Sequence, residues 1–165
     1  MSRTGAMPVP TDAVRARLRC LSLTVHDSLE LLVPNTLVAE VIDARETVPG
    51  DELPDWVLGM LSWRGRKLPL LAFERLLGEP PSAASQARRC VIINTLNGNP
   101  RLPYFALALT RIPHLSLIGE EDLTYEPDEE AVEPVLAVLR YQTRRVLVPD
   151  VDVIERMLQE AGIAV

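Results

Sequence analysis

The chain has 165 residues, a net charge of −6 and a pI near 5.0. That is single-domain length, enough to bury about two-thirds of the unfolded surface, and the charge gives no broad attraction to nucleic-acid phosphates or anionic lipid. Residues 1–17 hold no apolar core of signal-peptide length and no later stretch approaches the roughly 18 apolar residues of a membrane helix, so nucleic-acid binding and membrane insertion are set aside and a cytoplasmic location is expected.

Residues 1–17 mix proline, threonine, glycine and charge and are expected to form a flexible segment ahead of a fold that starts near Leu18. Leu21, Leu23 and Val25 alternate with Ser22 and Thr24, His26-Asp27-Ser28 turns the chain, and Leu29, Leu31 and Val33 alternate again. This predicts a hairpin ended by Pro34-Asn35. Thr36 to Ile42 reads as a strand whose single charge is Glu40, and Asp43 to Asp55, with Pro49-Gly50 and Pro54, reads as a loop.

From Trp56 to Gly78 the sequence WVLGMLSWRGRKLPLLAFERLLG reads as hairpin, tight basic turn and short helix. Val57, Leu58, Met60 and Leu61 surround Gly59 on one side of the turn Arg64-Gly65-Arg66; Leu68, Leu70 and Leu71 lie on the other. Gly65 supplies the positive φ such a turn needs. Pro69 lacks a backbone donor and predicts an edge position or a bulge, and Ala72 to Leu77 followed by Gly78 predicts a short helix with a glycine cap.

Glu79 to Ala87, rich in proline, serine and alanine, is read as the loop between two lobes. Arg88 to Thr95 is a β-branched strand, Asn97-Gly98-Asn99-Pro100 a turn and Leu102 to Ile112 a second apolar run, giving another hairpin before Pro113 bends the chain. Glu120 to Glu133 carries eight acids in fourteen residues and reads as a solvated loop without a calcium pattern. Val135 to Tyr141 and Arg145 to Val148 are the last strands. Asp152 and Glu155 then fit the N-cap and third position of a helix over 151–161 with Val151, Ile154, Met157, Leu158 and Ala161 on one face, leaving 162–165 as a tail. This order of elements predicts a mostly β fold of short strands with a terminal helix.

Cys20 and Cys90 sit in apolar runs without C-x-x-C spacing and read as buried hydrophobes; with His26 and His114 they show no spacing that would organise zinc. No G-x-x-x-x-G-K-[ST], G-x-G-x-x-G or G-x-S-x-G occurs, so no nucleotide, cofactor, metal or catalytic residue is assigned. Binding is the leading class of function. Trp63 beside Arg64 is the residue pairing most enriched at the energetic centres of interfaces, although Trp63 closing the end of a barrel beneath two solvated arginines accounts for the same residues.

Gly59, Met60-Leu61, Ser62-Trp63-Arg64-Gly65 and Leu68-Pro69-Leu70-Leu71, together with Val38-Ala39-Glu40-Val41 upstream and Val48-Pro49 and Pro54-Asp55 ahead of the glycine, resemble the CheW-like adaptor family over about residues 18–159. The resemblance implies a single domain over 18–161 made of two SH3-like five-stranded β-barrel subdomains, with a short helix between the lobes and a C-terminal helix. It implies a non-enzymatic scaffold between the cytoplasmic tip of a methyl-accepting chemoreceptor and the regulatory domain of a CheA-like histidine kinase, with other CheW-like proteins as further partners and no cofactor. The protein-interaction residues it implies are Val38, Glu40, Gly59, Trp63, Arg64, Gly65 and Arg66. The chain departs from the family pattern at Ala72 and Thr110, where aspartates are usual, and at Ser62-Trp63, where Asn-Leu is common. These departures point to an accessory member, in an array for surface motility such as type IV pilus twitching. A stand-alone modulator that binds kinase or adaptor without receptor is the alternative, and a small β-barrel enzyme or ligand-binding protein the alternative from another class.

Overall fold

A computed structural model describes residues 16–26, 28–43, 45–80, 89–126 and 128–163. In chain order its elements are β1 (Arg17–His26), β2 (Leu29–Pro34), β3 (Val38–Asp43), β4 (Val57–Trp63), β5 (Arg66–Leu71), α1 (Phe73–Leu76), β6 (Arg89–Asn94), β7 (Tyr104–Leu109), β8 (His114–Gly119), β9 (Leu123–Tyr125), β10 (Val135–Tyr141), β11 (Arg144–Pro149) and α2 (Val151–Glu160). The strands form two sheets, ordered β8-β1-β2-β11-β10-β9 and β3-β6-β7-β5-β4. The fold is mostly β, as the strand pattern predicts.

Both sheets curl into barrels. In the second sheet β3 and β4 are opposite edges, yet the chain beyond β3 returns to β4: Val48 and Met60 exchange two backbone hydrogen bonds of 2.8 and 2.9 Å, and the Arg45 guanidinium donates to the Ser62 carbonyl at 3.1 Å. Gly59 permits this seam. Its φ is +147°, and a Cβ there would lie 2.8 Å from Thr47 Cβ. In the first sheet the opposite edges β8 and β9 are consecutive in the chain, joined through a 3-10 turn at Glu120–Asp122.

Three apolar cores follow from the alternation of side chains along the strands. Leu61, Trp63, Leu68, Leu70, Cys90 and Ile92 fill the second barrel, and Cys20, Leu32, Ile118, Leu139, Tyr141 and Val146 fill the first. The opposite faces of the same strands, Leu21, Leu23 and Leu31 from one barrel and Val91, Ile93 and Leu107 from the other, meet in a shared core with Phe73 of α1 and Ile154 and Leu158 of α2. Strands such as β6 read as unbroken apolar runs because both of their faces are buried. Cys20 and Cys90 lie in different barrels, and burial pushes both thiols above their ordinary value.

Several expectations are corrected. Pro69 is not on an edge: β5 lies between β4 and β7, and proline is tolerated because the registered parallel pairing with β7 begins at Leu70. The hairpin turn is Arg64-Gly65 alone, with Arg66 already in β5 opposite Trp63. Thr36 and Leu37 belong to a 3-10 turn at Asn35–Leu37, so the strand starts at Val38. The N-cap of α2 is Asp150, which accepts a hydrogen bond from Val153 N–H at 3.2 Å; Asp152 falls inside the helix and Glu155 is buried there. The stretch after Pro113 is strand β8, and the acidic segment 120–133 includes β9, paired with β10. The segment 79–87 connects α1 to β6 and so rejoins the sheet that β5 left; residues 81–88, Arg88 among them, lie outside the described residues, as do residues 1–15, Asp27 and 164–165.

Candidate protein-interaction site at a barrel end

The β4–β5 turn holds Arg64 at φ +48° and Gly65 at φ +73°. Two successive positive φ values make a two-residue turn whose twist matches that of the strands it joins, so the turn is tight and the side chains on either side of it are placed by the sheet. Trp63, the last residue of β4, points into the barrel and is only 5% exposed. Its indole N–H donates to Glu40 Oε2 at 2.7 Å, and the Arg64 guanidinium reaches the same oxygen at 3.3 Å. That guanidinium also lies 4.9 Å from the centre of the Trp63 ring. Tyr104, at the start of β7, meets Trp63 edge to face at 5.0 Å, and Arg66 stands 6.0 Å from the centre of the Tyr104 ring.

The arrangement is a buried aromatic platform with exposed charge on top. The Glu40 and Arg64 side chains are 37% and 69% exposed, so their ion pair adds little to folding after solvent screening. The hydrogen bond from the buried indole to a carboxylate is the stronger tie and fixes where Glu40 points. Arg66 and Lys67, at the start of β5, are exposed and have no acidic partner among the described residues.

The structure brings Glu40, Trp63, Arg64, Gly65 and Arg66 together and separates Val38 and Gly59 from them. A bulge between Val38 and Glu40 pairs Val38 with Ile93 but Glu40 with Ile92. Those two isoleucines belong to different cores, so Val38 packs on the shared core while Glu40 faces the barrel end. Gly59 sits at the barrel seam. Trp63 is buried, so it acts on the surface through the groups that it orients. Trp56 packs on the shared core instead. Tyr104 escapes sequence reasoning: only its position as the aromatic opening an apolar strand marks it.

A second feature is a groove of about 290 Å³ lined by Leu37, Leu96, Leu136, Val148, Pro149 and Val151, with Asp150 and Asp152 at its rim. It is apolar and draws on both barrels, since Leu96 follows β6 of one and Leu136 and Val148 belong to β10 and β11 of the other. Leu96 and Leu136 are 54% and 62% exposed. Among the described residues no group of three or more His, Cys, Asp or Glu is placed to hold a metal ion, and no helix is long and apolar enough to cross a membrane.

A profile of the CheW-like domain matches residues 19–159. Among solved structures, the scaffolding protein TtCheW from Thermoanaerobacter tengcongensis superposes with a TM-score of 0.66 at 14% sequence identity, over 81% of this chain and 89% of that one. At that identity the likeness speaks for the fold. No curated protein sequence matches the chain.

Proposed function

Because this chain belongs to the CheW-like domain family, we propose that it is a non-enzymatic adaptor linking the cytoplasmic tip of a chemoreceptor to the regulatory domain of a CheA-like histidine kinase. Its place of action in this reading is the cytoplasm, and the departures at Ser62-Trp63, Ala72 and Thr110 assign it to an accessory array such as one for type IV pilus twitching. The observation that carries the reading is the knuckle formed by Glu40, Trp63 and Arg64, in which a buried indole orients two exposed, opposite charges on rigid strands. Exposed charge on a preorganised support gives partner selection at little conformational cost. The knuckle is assigned to the kinase. The apolar groove, with Leu96 and Leu136 open to solvent, suits the apolar face of a receptor helix, and further CheW-like proteins compete for the same barrel end.

The stand-alone modulator reading draws on the two missing aspartates, and both positions are engaged within the fold. Ala72 is the buried N-cap of α1, where a side-chain oxygen would serve the helix rather than a partner. Thr110 spends its hydroxyl and its N–H on the Thr24 carbonyl, at 3.3 and 2.9 Å.

Purified receptor tip and kinase regulatory domain test the reading by calorimetry. Arg64→Ala should weaken kinase binding by ~1–3 kcal/mol and Arg64→Glu by more, through repulsion, while Leu136→Arg should weaken receptor binding alone. Circular dichroism and melting must show each variant folded. If Arg64→Glu and Glu40→Arg both keep full affinity for both partners, the site assignment is wrong; if the unaltered chain binds neither partner, the adaptor reading fails.

A further inference from the structure

Leu96 is the one residue of the β6–β7 connection that lines the apolar groove; the rest of the wall comes from Leu37, from β2, β10 and β11 of the first barrel and from the start of α2. We propose that Asn97, by tying that connection to α2, is a positioning residue that holds the Leu96 wall where a receptor helix is received. The inference rests on the assignment of the groove to the receptor and deepens it.

The sheet alone does not hold Leu96. The β6–β7 ladder ends with Asn94 opposite Tyr104, and just beyond it Thr95 N–H donates to the Pro103 carbonyl at 3.0 Å and Thr95 Oγ1 to the Leu102 carbonyl at 2.6 Å. Leu96 comes next and is 54% exposed. One residue later the Asn97 side-chain amide donates to Asp152 Oδ1 and to Glu155 Oε2, each at 2.9 Å. Both carboxylates are on α2, three residues apart and so on one face. A single amide group therefore joins a turn of the second barrel to the helix that follows the first, and Leu96 is suspended between the ladder behind it and the amide ahead. The remainder of the connection is folded on itself, with Leu102 N–H on the Asn99 carbonyl at 3.1 Å and Arg101 N–H on Asn99 Oδ1 at 3.0 Å, so it moves as a unit.

Glu155 makes the tie a strong one. It is 1% exposed, on a helix whose other buried positions include Val151, Ile154 and Leu158. A buried carboxylate is costly unless it is hydrogen-bonded. Among the described residues Asn97 supplies the hydrogen bond to Oε2, and Oε1 has none. Carboxylates only accept, so Asn97 presents its NH2 group and spends both N–H bonds on α2. Without that amide Glu155 is left to seek water, and water reaches it by displacing the turn that covers it. Leu96 goes with the turn. A groove wall that is already in place spares the bound helix the cost of ordering it.

The experiment uses the full chain and measures three things: affinity for the purified receptor tip, affinity for the kinase regulatory domain, and the methyl order parameter of Leu96 in the isotope-labelled protein. Asn97→Ala should raise the receptor dissociation constant about tenfold, the scale of ordering a few groups on binding, leave the kinase dissociation constant unchanged and lower the Leu96 order parameter. Because the same change strands a buried carboxylate, it also lowers the melting temperature, and a second variant separates the two effects. Asn97→Ala combined with Glu155→Met removes the stranded charge and should restore the melting temperature, while receptor affinity and the Leu96 order parameter stay low because the tie is still absent. Full receptor affinity in a folded Asn97→Ala chain, receptor affinity that returns together with stability in the double variant, or an unchanged Leu96 order parameter would each overturn the proposal. An unaltered chain that does not bind the receptor tip overturns instead the assignment of the groove, and the order parameter still decides whether Asn97 holds its wall.

Discussion

The two barrels end in hairpins of matching design that differ in how far their basic residues are paired. Each hairpin carries an aromatic residue at the end of its first strand, Trp63 or Tyr141, and a first turn residue at positive φ that is not glycine, Arg64 at +48° or Gln142 at +57°. Each has an arginine guanidinium over that aromatic, 4.9 Å from the ring centre for Arg64 and 5.5 Å for Arg144. The frames correspond as well: β5 runs parallel to β7 in one barrel and β11 parallel to β2 in the other. In the first barrel the hairpin arginines are met by the chain's own acids, Arg144 by Glu30 and Arg145 by Glu129, with Arg140 from the preceding strand on Glu126. In the second, among the described residues, only Glu40 faces Arg64, while Arg66 and Lys67 have no acidic partner. A neutralised end and an open end on one scaffold show that the same hairpin holds its place whether its basic residues are paired or left to solvent.

The sharpest way to break that comparison is to remove the aromatic beneath the open end. Trp63→Ala should cost ~3–5 kcal/mol of stability by leaving a hole in the second barrel, read from denaturant unfolding. A cost under about 1 kcal/mol would mean that the indole supports nothing, and lost partner binding in this variant says nothing about a contact.

The basic turn was legible because Arg-Gly between two apolar runs allows few local structures, and the elements around it follow from periodicity. The shared core was legible only as apolar runs without alternation, such as Cys90 to Ile93, whose two buried faces appear once the lobes interleave. Non-local pairing hid the rest. Val38 and Glu40, two apart, ought to share a face, and a bulge that depends on β6 divides them. β8 went unread because its alternation, Leu115-Ser116-Leu117, is short and places its leucines on the exposed side. Tyr104 joins the site only because the sheet curls until β3, β4 and β7 converge at one end, which no spacing records.

The barrels also close differently, and Gly59→Ala tests that. The second barrel closes at a seam that needs φ +147° and leaves no room for a Cβ, whereas in the first the opposite edges β8 and β9 are joined directly by the turn at Glu120–Asp122. Substitution should cost about 1–3 kcal/mol from strain at a conformation that side chains rarely adopt. A melting temperature equal to that of the unaltered chain would show that the seam does not hold the barrel. Paired substitutions sharpen the contrast at smaller scale. Trp63→Phe breaks the hydrogen bond to Glu40 and should cost about 1–2 kcal/mol, low in the range for hydrogen bonds to charged groups because Glu40 is 37% exposed. Tyr141→Phe removes a hydroxyl that makes no hydrogen bond among the described residues and should change stability by less than about 0.5 kcal/mol. Equal costs would erase the distinction between the two ends.

The smallest effect concerns the neutralised end. The Glu129 carboxyl is held below its ordinary value, chiefly by hydrogen bonds from Arg145 and further by the positive charge of Arg145 and Arg140. A carboxylate whose folded value is depressed contributes stability that is present above its unfolded value and lost as pH falls through its folded value. Because Glu129 is solvent-exposed, that contribution is small and screened by salt. The melting temperature of the unaltered chain should therefore exceed that of Glu129→Gln slightly at neutral pH and low salt. The gap should shrink with added salt and close as pH drops below the carboxylate range. The corresponding Glu40→Gln difference should also shrink with salt, since glutamine still accepts the Trp63 N–H through its own carbonyl and what is lost is the exposed Arg64 pair. A gap for Glu129→Gln that widened on acidification would reverse the sign of the linkage, and the acids of the first barrel could then no longer be said to neutralise its arginines.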